Sequence, residues 1–167
     1  MILATLIAII LSVVSAVTLA AIHFLAPAYF HGESFHKITE IFLEFSAISS
    51  IVALVIVIFI GVPIFFLFRH FNLASNRNIS LVGFFIPSIL ISYLAWPLSL
   101  GKGSSTGQNY YGTYRNMIVD GVPTTWGWIR FMEDVISYGV YGLFAALVFR
   151  IVWFYTYERW LKRRIKT

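Results

Sequence analysis

The sequence predicts an all-α integral membrane protein: a four-transmembrane-helix bundle with a short outer amphipathic helix and an outer β-hairpin loop. The 167 residues are 59% hydrophobic, with a mean hydropathy of +0.84. Only 11% are charged, against about 25% in a soluble domain, so too little polar surface is present to solvate a globule. Four apolar runs, at residues 2–25, 45–68, 81–100 and 135–157, each reach the roughly 20 residues that a helix needs to cross the bilayer core.

The distribution of charge predicts the orientation of these spans. Cations dominate the connector at residues 69–80 and the tail at residues 158–167, whereas the other two connectors also carry the acidic residues. The positive-inside rule then places both termini in the cytoplasm and the loop at residues 101–133 outside an inner membrane. The net charge of +5 therefore indicates contact with membrane lipids and no nucleic acid. The predicted anionic-lipid contacts in the tail are Arg159, Lys162, Arg163, Arg164 and Lys166.

The chain contains no cysteine. This excludes disulfides, a lipid-modified cysteine, thiol redox chemistry and cysteine-ligated metals. The first apolar run lacks the basic region of a secretory signal and is too long for one, so we expect a retained span.

The first span carries a small residue at every fourth position, and such residues let helix backbones approach closely in lipid. This small-residue stripe has two interpretations, namely packing within the bundle or docking on another membrane protein. The stripe consists of Ala4, Ala8, Ser12, Ala16 and Ala20. We expect Pro27 to end this first span.

The connector at residues 29–44 predicts an amphipathic helix capped by Ser34, because its apolar residues recur at helical spacing. This helix is free to run straight into the second span. Pro63 removes a backbone donor from that span and predicts a kink. In the third span, Pro87 beside Ser88 predicts a bend.

We predict that the whole chain, residues 1–167, forms one membrane domain. Within it, the long loop at residues 101–133 is the only extended segment that is neither an apolar run nor a short connector. Its first part, 101–107, is rich in glycine and serine and predicts flexibility. Asp120-Gly121 lies between two β-prone flanks, 110–119 and 122–129, which predicts a hairpin with a type I′ turn. Pro123 predicts that the second flank is an edge.

This loop also concentrates aromatic residues, with Arg115 and Arg130 among them. One interpretation is anchoring of the hairpin at the membrane interface. The other is a recognition surface, because tyrosine, tryptophan and arginine carry most interface hot spots. The aromatic residues are Tyr110, Tyr111, Tyr114, Trp126 and Trp128.

The predicted spans hold no aspartate, glutamate or lysine in their cores, and the histidines lie near the ends. This argues against a proton-coupled carrier, which needs a carboxylate at mid-depth. It also argues against haem, which needs facing histidines within the helices. His36 and Glu40, with His31 nearby, have only the ordinary spacing of a helix surface. We therefore predict no cofactor and no metal.

The two aspartates, Asp120 and Asp134, flank the loop near its predicted membrane boundary. In this layout the chain resembles signal peptidase II, a four-span aspartyl hydrolase. The motifs differ, because that family has Gly-Asn-x-x-Asp-Arg and Phe-Asn-x-Ala-Asp, where this chain has Arg115-Asn-Met-Ile-Val-Asp120-Gly and Arg130-Phe-Met-Glu-Asp134. A simpler interpretation makes Asp120 a turn residue and Asp134 the cap of the fourth span.

These observations favour a non-enzymatic accessory protein that binds another membrane protein or a membrane-inserting toxin. It would be a small subunit of a complex, or an immunity protein, a class that it resembles in four-span layout and size. The alternative is a protomer of an oligomeric channel or small-solute transporter, with serines of the second and third spans lining the path. The third reading is a membrane-embedded hydrolase that uses Asp120 and Asp134.

Overall fold

The structure, a computed structural model, describes residues 1–30, 34–94, 103–110 and 112–164, without the side chains of residues 27–30 and 158–164. It is mostly helical and contains a small three-stranded sheet. In the described part of the chain, four helices are long and apolar enough to cross a membrane. Their candidate spans are Ile2–Ala26, Phe35–His70, Asn76–Leu94 and Thr125–Tyr157.

The helices are α1 (Ile2–Phe30), α2 (Phe35–Ile56), α3 (Val62–His70), α4 (Asn76–Leu94) and α5 (Thr125–Arg164), and a π-helical segment (Val57–Gly61) joins α2 to α3. The strands are β1 (Thr106–Tyr110), β2 (Thr113–Val119) and β3 (Val122–Pro123), in the spatial order β1-β2-β3.

The start of α2 is where the sequence predicts it. Ser34 is its N-cap, and the Ser34 side chain accepts a hydrogen bond from the Lys37 backbone amide at 3.4 Å. The expected short amphipathic helix is not a separate element, since it continues through the π-helical segment into α3. At a rise of 1.5 Å per residue, these 36 residues extend over about 54 Å, more than the roughly 30 Å of a bilayer core.

Pro27 and Pro87 both lie inside helices, so the expectation that Pro27 ends the first span is wrong. Helix α1 continues past Pro27 to Phe30, because a proline removes only one backbone donor and does not by itself stop a helix. The π-helical segment lies directly before Pro63, and at its end the Val62 amide donates to the Val57 carbonyl. Pro63 has no amide hydrogen and so cannot donate to a carbonyl of the preceding turn.

The fourth membrane-length helix begins earlier than its apolar run. The hydroxyl of Thr124 accepts a hydrogen bond from the Gly127 amide at 3.2 Å, and α5 starts at Thr125. The interpretation of Asp134 as a helix cap is therefore wrong, because Asp134 lies inside α5. At 40 residues, α5 is about 60 Å long.

The described residues group into two compact units. The first unit comprises Met1–Gly83 and Tyr141–Thr167, and its core joins α1, α3, α4 and α5. Trp153 in this core donates from its indole nitrogen to the Thr5 hydroxyl at 3.2 Å. The second unit, Phe84–Val140, holds the sheet. Within it, the Ser88 hydroxyl contacts the carbonyl of Phe84 at 2.9 Å and that of Val135 at 3.1 Å, which links α4 to α5.

Candidate functional site

The sheet of the second unit is closed by the turn that the sequence predicts. Asp120 and Gly121 both have positive φ, 51° and 79°, and the flanking residues Val119 and Val122 pair across the turn. Positive φ at both central positions defines a type I′ turn, whose twist matches that of the flanking strands. The predicted hairpin is therefore confirmed.

The strands beside this turn differ from the predicted flanks. Tyr110 ends β1 and β2 begins at Thr113, so the first flank is split between two strands. Part of the expected flexible run is ordered, since Thr106 opens β1 and the Ser105 hydroxyl accepts a hydrogen bond from the Asp120 amide at 3.1 Å. The second flank pairs over only two residues and forms an edge, as expected from Pro123, which cannot donate to a ladder.

A corner at Thr124 connects the hairpin to α5. The Thr124 amide donates to the Met117 carbonyl at 2.9 Å, and the Thr124 hydroxyl donates to the Asn116 carbonyl at 2.6 Å. Gly127 packs so closely on the Met117 carbonyl that a Cβ atom at this position would overlap its oxygen. Hydrogen bonding and close packing thus hold the first turn of α5 against β2. We call residues 104–130, of which 111 is not described, the hairpin module.

The hairpin module brings an arginine and two aromatic residues of the predicted cluster together. The Arg115 guanidinium carbon lies 4.5 Å from the centre of the Trp126 ring, within the range of a cation–π interaction. The Tyr110 ring lies 5.7 Å from Trp126 on centroids. Tyr110 is buried together with Met117 and Ile118 in a small core of its own. Arg115 and Trp126 are therefore held in place by the packing beneath them.

Tyr114 is the exposed aromatic residue of the strands, with 69% of its surface accessible. Its ring crosses over Gly107 on β1, where a Cβ atom would overlap the phenol. Trp128 packs instead against Phe131, with ring centroids 5.9 Å apart. Tyr111 lies outside the described residues.

Arg130 is engaged by acidic residues of its own helix. It pairs with Asp134 at 3.1 Å and with Glu133 at 3.8 Å, and all three side chains are about one-third exposed. The two arginines that the sequence groups together therefore differ. Arg115 contributes its charge to the aromatic surface, whereas the charge of Arg130 is compensated locally.

The small-residue stripe of α1 faces the interior of the first unit. Ala4, Ala8, Ser12 and Ala20 are all at most 8% exposed and Ser12 is fully buried, while Ala16 is partly buried. In this arrangement the stripe is covered by the chain itself and offers little surface to a partner. Side chains of the predicted lipid-binding tail, residues 158–167, lie outside the described part of the chain.

The two aspartates have distinct local roles. Asp120 forms the hairpin turn, and Asp134 pairs with Arg130 on α5. Among the described residues, no group of three histidine, aspartate or glutamate side chains is arranged to hold a metal ion.

Comparison of the chain with protein-family models, with curated proteins and with solved structures finds no match. In the residues that the structure describes, the fold combines four helices of membrane-spanning length with a small, ordered hairpin module.

Proposed function

We propose that this chain is a non-enzymatic accessory protein of the inner membrane that binds another membrane protein or a membrane-inserting toxin. Both termini and residues 69–80 would lie in the cytoplasm, and the hairpin module would lie outside. The four long apolar helices support insertion, because only a bilayer accommodates so much exposed apolar surface.

The stack of Arg115 on Trp126 is the observation that carries the proposal. Tyr114, the neighbouring residue on β2, has an exposed ring on the opposite face of the strand. Arginine, tryptophan and tyrosine dominate interface hot spots. A side chain that is already fixed before binding loses less conformational entropy when a partner arrives. The strand pairing, the Thr124 corner and the buried Tyr110 fix these groups in advance.

Anchoring of the hairpin module in lipid headgroups is the competing interpretation of the same aromatic residues. An interfacial anchor depends on aromatic and apolar content rather than on one arrangement of side chains. The ordered cation–π stack on the module is better explained by recognition of a shaped surface than by a headgroup layer.

The test is the mass of the complex formed by tagged full-length protein, purified in mild detergent from its native host. We expect a heteromer with one stoichiometric second chain. Tyr114→Ala and Arg115→Gln should each weaken this association by about 30-fold, the effect of removing a hot spot of about 2 kcal/mol. The matched control is Asn116→Ala, an exposed substitution on the same strand.

Two results would reject this proposal. One is a monomer in every mild detergent. The other is a heteromer that both substitutions leave intact, because the partner would then bind elsewhere on the chain.

The π-helical segment favours a second candidate, the protomer of an oligomeric channel or transporter. Ile58 and Phe59 are exposed there, and Pro63 supplies no amide hydrogen to the preceding turn. Such segments are frequent at functional sites, and a polar group without a partner is costly in hydrocarbon. A stable ring of identical copies in the same mass measurement would favour this candidate over the accessory protein.

A further inference from the structure

The loop between α3 and α4, residues Phe71–Ser75, is fixed by its backbone. Asn72 has a left-handed φ of 58°, the Leu73 amide donates to the Phe68 carbonyl at 2.7 Å and the Asn72 amide donates to the Arg69 carbonyl at 3.1 Å. This is the Schellman pattern that closes a helix C-terminus. The Asn78 side chain also donates to the Leu73 carbonyl at 2.8 Å. The loop therefore offers a preformed surface.

Arg69 lies at the start of this loop and is held by aromatic rings. Its guanidinium carbon is 4.4 Å from the centre of the Trp153 ring and 4.8 Å from that of Tyr157. The two rings stack on each other, with centroids 4.7 Å apart. Contact with ring faces orients the guanidinium group without neutralising its charge.

Arg150 reaches the same loop from α5. Its Nε atom donates to the Ala74 carbonyl at 2.9 Å, which leaves the two terminal nitrogens as further donors. Arg150 precedes Trp153 by one helical turn, so both arginines lie beside the loop in the first unit. Among the side chains that the structure describes, no carboxylate pairs with Arg69 or Arg150.

These two partly buried arginines have no acidic partner among the described side chains, so they are suited to a negative charge from outside the chain. We propose that Arg69 and Arg150 bind the phosphate group of an anionic glycerophospholipid. The planar guanidinium fork matches phosphate geometry with two parallel hydrogen bonds.

The surroundings of the loop favour a lipid over free phosphate. Leu67, Phe71 and Leu73 are large apolar side chains on or next to the loop, and about half or more of the surface of each is exposed. A phospholipid can cover such residues with its acyl chains, whereas inorganic phosphate cannot. This inference rests on the membrane insertion proposed above and is independent of the partner of the hairpin module.

Native mass spectrometry of the full-length protein in mild detergent tests the proposal. Phosphatidylglycerol, phosphatidylcholine and inorganic phosphate would be added separately, and phosphate would also compete against bound phosphatidylglycerol. We expect phosphatidylglycerol to bind most tightly. Arg69→Gln and Arg150→Gln should each weaken its binding by about tenfold or more, since each removes charged hydrogen bonds.

Two sets of variants make the test specific. Arg77→Gln is the matched control, because it removes a cation from the exposed first turn of α4 and should leave binding unchanged. Arg69→Lys and Arg150→Lys keep the charge but lose the fork, and each should also lose binding by about tenfold. These lysine variants also keep the test decisive if a glutamine variant fails to fold, and thermal unfolding without lipid checks the fold of each variant.

The proposal is overturned if the lysine variants bind as the native protein does, since net charge alone would then suffice. It is overturned equally if Arg77→Gln weakens binding as much as the other changes. Displacement of phosphatidylglycerol by millimolar phosphate would assign the site to free phosphate instead. If any of these tests fails, membrane insertion of the chain is tested separately, by incorporating the same variants into nanodiscs.

Discussion

The contact between α5 and β2 in the hairpin module predicts a large effect of Gly127→Ala. A methyl group at Gly127 would overlap the Met117 carbonyl oxygen and lie 3.1 Å from the carbonyl carbon. Both atoms belong to the backbone, so neither can rotate away. The same carbonyl accepts the hydrogen bond from the Thr124 amide, and a shift of α5 would weaken it.

The size of the effect follows from three terms. Overpacking costs about 1–3 kcal/mol, and loss of one hydrogen bond to the Met117 carbonyl costs about 0.5–1.5 kcal/mol. Alanine in place of glycine stabilises a helix by about 1 kcal/mol, which offsets part of these costs. The net destabilisation of the hairpin module is thus about 0.5–3.5 kcal/mol, which raises the fraction of open module by about 2- to 400-fold.

Amide hydrogen exchange in mild detergent measures this opening directly, through the amides of β2. The matched control is Gly61→Ala, because a Cβ atom at Gly61 would meet only the Ile56 carbonyl oxygen at 3.9 Å. We expect the control to leave exchange in β2 unchanged. Unchanged exchange in Gly127→Ala would refute the close contact between helix and strand.

Substitutions at three further positions have smaller expected effects. Asp120→Ala should destabilise the hairpin by about 1–2 kcal/mol, because alanine is disfavoured at positive φ, whereas Asp120→Asn should be nearly neutral; equal exchange rates in the two variants would contradict the turn geometry. Ser88→Ala should lower the unfolding free energy by about 0.6 kcal/mol, a typical value for a hydrogen bond between membrane helices, and a change above about 2 kcal/mol would contradict this. Arg130→Gln should lower the free energy of unfolding by less than about 1 kcal/mol, because the ion pairs of Arg130 are partly exposed. A melting temperature that changes neither with the substitution nor with salt would show that these ion pairs contribute nothing to stability.

The features that the sequence predicts well depend on local rules. Bilayer thickness sets the length of an apolar helix, so hydropathy alone finds four helices of sufficient length. Ser34 supplies a side-chain acceptor where a helix begins, and Asp120-Gly121 supplies the two positive φ values of a type I′ turn. Each of these signals lies within a few residues of the feature that it specifies.

The features that the sequence predicts poorly depend on contacts between distant residues. The stretch around Trp126 and Trp128 is rich in aromatic residues and predicts a strand, yet the Thr124 corner on Met117 turns it into the first turn of α5. Thr106 and Gly107 predict flexibility, yet pairing with β2 and the ring of Tyr114 make them a strand.

The small-residue stripe of α1 shows a different limit of the sequence. Small residues at every fourth position are equally suited to packing within a chain and between chains. Only the tertiary structure shows that this face is turned inward. The cation–π stack of Arg115 on Trp126 is likewise invisible in the sequence, although both residues are present in the predicted cluster.

The most direct test of the proposed function is photocrosslinking from the exposed position of Tyr114 in native membranes. A photoreactive phenylalanine analogue would replace Tyr114 in full-length protein, and the matched control would carry it at Phe59, an exposed residue of the π-helical segment. We expect one protein adduct from position 114 that is absent from position 59 and is reduced by Arg115→Gln. Adducts with lipid alone at position 114, or the same protein adduct from both positions, would contradict the proposed function.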